Sequence, residues 1–196
     1  MQFLEKSEPH GHLEIWKHYP DGSKELHFKD NNVICSGMGA TLAEMFDADP
    51  EADVQNFQCV YFRCGSGGQA AYQVSSRSDV ESSFSRAQYG TGNLNMSIHD
   101  LIANGTSVGP LPFGTIPYGY IKRVTPTKCM WQIVLDEQTL NVGDEVPEGY
   151  INEIGLYSKN PYIEATDASM LCAYRYFKKI YKTDAFILVF RWTIEF

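Results

Sequence analysis

The chain reads as mainly β: an antiparallel β-sandwich or open barrel with one or two short helices and a long irregular middle segment. Three observations predict this. The last eleven residues alternate, with Phe186, Leu188, Phe190, Trp192, Ile194 and Phe196 on one face and Arg191, Thr193 and Glu195 punctuating the other. Period-two alternation is what a half-buried strand needs, because successive side chains point to opposite faces of a sheet. Aromatic residues make up 13% of the chain, and aromatic rings suit a pleated, half-buried surface. Seven or eight such runs are separated by turn residues, with little helical periodicity between them.

The elements follow in order. Leu13–His18 and Lys24–Lys29 alternate on either side of Tyr19-Pro-Asp-Gly-Ser23, a hairpin signal in which Gly22 supplies the positive φ of the turn. Asn31-Asn32 is expected to end that hairpin. Met38, Leu42, Met45 and Phe46 fall near helical spacing, so residues 37–46 are expected as a short amphipathic helix on the sheet. Phe57–Cys64 is largely apolar and reads as a strand buried on both faces.

From Gly65 to Gly92 the texture changes to Ser, Gly, Gln and Ala, which bury little. The single domain expected over residues 1–196 therefore carries an extended arm or loop at 65–92. Residues 95–104 read as one short helix. Residues 105–119 hold Pro110, Pro112 and Pro117 among four glycines and read as irregular. Strands are expected at 118–124, at 128–135 with Cys129, Trp131, Ile133 and Leu135 on one face, at 150–157, at 170–177 and at 186–196. Residues 136–148 form an acidic connection, 158–167 a loop, and 178–184 the last hairpin loop.

The C-terminal runs carry a resemblance. Asn152-Glu-Ile-Gly-Leu-Tyr157, Ala173–Phe177, Lys182 and Arg191-Trp-Thr-Ile-Glu-Phe196 stand in this order. The order resembles the C-terminal half of tailed-bacteriophage virion proteins from the tail, neck or fibre-attachment region. The N-terminal half resembles the same group through the Asp21-Gly22 hairpin, Asn32-Val33-Ile34, Gly37, an apolar helix and a strand ending in Gly65-Ser66-Gly67. The middle of the chain is unmatched. The resemblance implies an oligomeric neck, collar, baseplate or tail-fibre-attachment component. It would be made in the host cytoplasm, reside in the virion, and partner copies of itself and other tail, neck or fibre proteins.

Composition narrows the remaining classes. Net charge is −8, which disfavours binding along a nucleic-acid backbone. No apolar run reaches the ~18–20 residues that span a bilayer, and the first residues, Met1-Gln-Phe-Leu-Glu-Lys-Ser-Glu8, lack a signal-peptide pattern. A soluble protein without membrane insertion is expected.

No catalytic, cofactor-binding or metal residues are singled out, and the chain is not expected to be an enzyme. It has no Gly-x-Ser-x-Gly elbow, phosphate-binding loop or His-Glu-x-x-His spacing. Cys64-Gly-Ser-Gly-Gly68 resembles a phosphate loop only superficially, since no Lys follows. The five cysteines (35, 59, 64, 129 and 172) are scattered and odd in number, so they read as buried thiols. His10-Gly-His12 reads as solvated. Arg191 is expected to pair across strands with Glu195 or Glu153. Tyr118-Gly-Tyr120 and Tyr174-Arg-Tyr176 place ring pairs on strand faces, where they build a core or an interface. Stacking on sugars would make the chain a carbohydrate-binding β-sandwich module, the alternative reading.

Overall fold

A computed structural model describes residues 9–47, 58–65, 114–141, 150–159 and 169–196. The expected arm at 65–92 (beyond Gly65), the helix at 95–104 and most of 105–119 lie outside the described residues. The elements are β1 (His10–His18), β2 (Lys24–Ile34), α1 (Ser36–Asp47), β3 (Tyr61–Gly65), β4 (Gly114–Thr115), β5 (Ile121–Thr125), β6 (Lys128–Leu135), β7 (Ile151–Lys159), β8 (Ser169–Ile180) and β9 (Ile187–Glu195). The strands form one nine-stranded sheet in the order β4-β3-β7-β8-β2-β1-β9-β6-β5, with every pairing antiparallel.

The sheet is curled, as two distances require. Phe177 on β8 and Phe190 on β9 are three strand steps apart, which in a flat sheet is about 14 Å. Their ring centroids are 6.0 Å apart, and Phe28 on β2 lies 6.1 Å from Phe177. In addition β4 at one edge is joined to β5 at the other by residues 116–120 alone. Five linking residues reach roughly 20 Å, whereas a flat sheet of this width would measure about 38 Å. The fold is therefore an open barrel whose edges approach each other.

The core fills the inside of the curl. Leu13, Ile15, Ile133, Ile154, Leu156, Leu188, Phe190, Trp192 and Ile194 are essentially sealed from solvent. A second cluster of Cys35, Tyr157, Leu171 and Tyr174 buries part of the β7–β8 pair separately, and residues 151–158 are buried without interruption. Gly155 belongs to this crowding: a Cβ there would lie 2.7 Å from the Tyr157 ring and 2.8 Å from Leu171 Cδ1.

The β1–β2 hairpin forms as its sequence dictates. Gly22 adopts φ 84° and donates its N–H to the Tyr19 carbonyl at 3.0 Å. Asn31-Asn32 does not end the hairpin, because both residues stay paired with His12 and Gly11 and β2 continues to Ile34. That extension lets Val33 and Ile34 pair with Tyr174 and Ala173, so β2 joins the two halves of the sheet.

Other expectations shift at the ends of elements. Residues 118–120 form a 3-10 turn, so β5 begins only at Ile121. β3 is short and its Tyr61, Phe62 and Arg63 are half-exposed, not buried on both faces. Ser158, Lys178, Lys179 and Ile180 belong to strands, which leaves a short β8–β9 turn. Helix α1 buries Met38 and Thr41 against β7 and β8 but leaves Phe46 89% exposed.

Candidate functional site

The approach of the two sheet edges creates the most distinctive site among the described residues. Trp131 on β6 turns its ring inward, and its Nε1 donates to the Cys59 carbonyl just before β3 at 2.8 Å. Ile116, in the link between the edge strands, donates its backbone N–H to the Val60 carbonyl at 2.7 Å. The first bond fastens the β5–β6 end of the sheet to the β3–β4 end, and the second extends the β3–β4 pairing by one rung into the link. Helix α1 sits against the adjoining β7–β8 strands.

A cavity of about 250 Å³ remains between the helix and this seam. Met38, Thr41, Leu42 and Met45 face it from α1, at the i, i+3, i+4 and i+7 spacing of one helical face. Cys59, Ile121, Cys129 and Trp131 supply the opposite wall, and Tyr118 and Phe196 flank it. Met45, Tyr118 and Phe196 are 39%, 80% and 36% exposed, so the cavity opens onto an apolar rim. Phe196 was expected among the inward-facing residues of the terminal strand. It leaves the core because β9 ends at Glu195, while its backbone N–H still bonds the Thr127 carbonyl at 2.9 Å.

Behind the cavity lies a polar cluster sealed from water. The Thr41 hydroxyl is 2.7 Å from the Ser158 hydroxyl and 3.7 Å from Cys172 Sγ, and Cys172 donates to Ser158 Oγ at 3.5 Å. Cys59 hydrogen-bonds Cys172, and that contact together with full burial pushes the Cys59 thiol well above its ordinary range. Burial likewise raises Cys64. The contacts among Thr41, Ser158 and Cys172 clamp α1 to β7 and β8. Cys35, Cys59, Cys64 and Cys172 are buried and Cys129 is half-buried, as the sequence suggested. Among the described residues no three His, Cys, Asp or Glu side chains are grouped to hold a metal, and no helix is long and apolar enough to cross a membrane.

The structure separates the two tyrosine pairs. Tyr118 and Tyr120 stand in the exposed 3-10 turn. Tyr174 donates its hydroxyl to Glu153 Oε2 at 2.8 Å, and its burial, together with the Glu153 charge and this bond, raises its pKa. The expected partners of Arg191 are engaged elsewhere. Glu195 pairs with Lys128 at 2.8 Å and lies 3.8 Å from His10, while Glu153 takes the Tyr174 hydroxyl. Arg191 instead stands opposite Glu14 and Gln132 in register. Lys182, buried at 1% exposure, donates to Asn141 Oδ1 at 3.1 Å and to the Thr183 carbonyl at 2.8 Å, tying the last turn to the turn after β6.

Sequence reading missed the cavity entirely. Its linear traces are the helical spacing of Met38, Leu42 and Met45 and the shared strand face of Cys129 and Trp131, which read equally as ordinary core faces. Comparison with protein-family models, curated proteins and solved structures returned no match.

Proposed function

We propose that this chain is a structural virion protein of a tailed phage, an oligomeric neck, collar, baseplate or tail-fibre-attachment component that works by protein–protein assembly and not by catalysis. The observation that carries this reading is the exposed apolar rim at the seam. Met45, Tyr118 at 80% exposure and Phe196 edge the seam cavity, and Phe46 at 89%, Val124 at 55% and Tyr120 at 42% are further large apolar side chains open to solvent. Large exposed aromatic side chains are enriched at interaction surfaces. The motifs behind the resemblance, Asn152–Tyr157, Ala173–Phe177 and Arg191–Phe196, support the same reading, and they fall on β7, on β8 and on β9 with the residue after it. A net charge of −8 suits docking to a more basic neighbour and repels packaged DNA.

The reading is tested by complementation. A phage lacking the gene is supplied with the wild-type chain or with Phe46→Ser/Tyr118→Ser, and purified particles are assayed for the protein. Loss of the folded variant from particles supports the reading, and incorporation at the wild-type level contradicts it.

The exposed Tyr118 and Tyr120 favour one alternative, a carbohydrate-binding module in which the rings stack on sugar faces. Saturable glycan binding abolished by Tyr118→Ala would support that alternative over assembly.

A further inference from the structure

We propose that the seam cavity is a binding site for a small, neutral, apolar molecule of the size of a bicyclic aromatic or a short hydrocarbon chain. The cavity measures about 250 Å³. An apolar cavity of roughly 150 Å³ stays dry and takes up benzene, so this one has room for about ten non-hydrogen atoms.

The chemistry of the walls selects the ligand. None of the lining side chains is charged. Two of the polar side chains are already spent, the Trp131 Nε1 on the Cys59 carbonyl and the Thr41 hydroxyl on Ser158, which leaves the Gln58 carboxamide as an uncharged polar group on the lining. An ionised or hydrogen-bonding ligand would lose its water there and gain few partners in return. An apolar one exchanges unfilled space for dispersion contacts with Met38, Leu42, Ile121 and the indole of Trp131. Met38 has the unbranched thioether that adapts to irregular shapes. Access is provided at the half-exposed Met45 and Phe196. The site stands on its own geometry and does not depend on the virion reading.

The test uses the full chain and two probes, p-xylene and naphthalene, followed by saturation-transfer NMR, with benzoate as the charged counterpart. Two variants fill the cavity from opposite walls, Leu42→Trp from the helix and Cys129→Leu from β6. The expected result is saturable binding of both probes, weakened at least about tenfold in each folded variant, and no displacement by benzoate. Absence of saturable binding, undiminished affinity in the folded variants, or equal binding of benzoate would overturn the proposal. If Leu42→Trp does not fold, Cys129→Leu and the benzoate comparison decide.

Discussion

The indole nitrogen of Trp131 donates to the carbonyl of Cys59 across 2.8 Å, and that bond joins two segments at opposite ends of a nine-stranded sheet. It is a buried bond between residues 72 positions apart, so it reports on the closure of the curl and not on local structure.

Trp131→Phe keeps an aromatic ring but leaves the Cys59 carbonyl without its donor. An orphaned buried acceptor costs about 1–3 kcal/mol in addition to the lost volume. Trp192 is equally buried, yet its Nε1 has no acceptor among the described residues. Trp192→Phe is therefore expected to destabilise less than Trp131→Phe. Urea unfolding of the two variants provides the comparison, and an equal or reversed order would show that the seam bond contributes little.

Two glycines should respond oppositely to alanine. At Gly155 the new methyl would press on Tyr157 and Leu171, and overpacking of this kind costs about 1–3 kcal/mol. At Gly39 in α1 a Cβ meets nothing within 4 Å, and Gly-to-Ala in a helix gains about 0.5–1 kcal/mol. Thermal unfolding midpoints should fall for Gly155→Ala and rise for Gly39→Ala.

Acidification should destabilise the fold beginning near neutrality. Burial lowers the pKa of His18, aided by Lys24 and Arg191, and burial lowers that of His27, aided by Lys17. The Nε2 of each is buried without a hydrogen-bond partner, so a proton there has no acceptor. The folded values lie below the ordinary imidazole value of about 6.5, and the unfolded chain binds more protons between the two. The stability from keeping these rings neutral is thus complete above that pH and is lost as pH falls through the folded values. Glu14, held down chiefly by its bond to Lys29, adds a loss of the same sign further into acid. Urea midpoints at pH 7.5 and 5.5 should differ, and His18→Gln/His27→Gln should flatten the difference.

The exposed rim should drive association without supporting the fold. Phe46 and Tyr118 bury little, so Phe46→Ser/Tyr118→Ser should leave the unfolding midpoint within about 0.5 kcal/mol of wild type. Sedimentation velocity should meanwhile show less self-association. A large loss of stability would mean that these rings belong to the core.

Much of the β framework was legible because period two survives in a single sequence. The inward set Cys129, Trp131, Ile133 and Leu135 was read correctly, as was the Gly22 turn. What escaped was non-local. Nothing near Asn32 announces that β2 runs on to pair with β8, because the partner Tyr174 lies far along the chain. The curl that brings Trp131 to Cys59 is a property of the whole sheet. The cavity depends on that curl, and so its lining residues read only as ordinary apolar positions.

The most direct test of the assembly account is quantitative mass spectrometry of gradient-purified phage particles from a lysate whose phage encodes this chain. The account predicts that the protein is present at a fixed symmetric copy number, about six or twelve for a ring or another multiple of three for fibre attachment. Particles of full infectivity that lack the protein would contradict it.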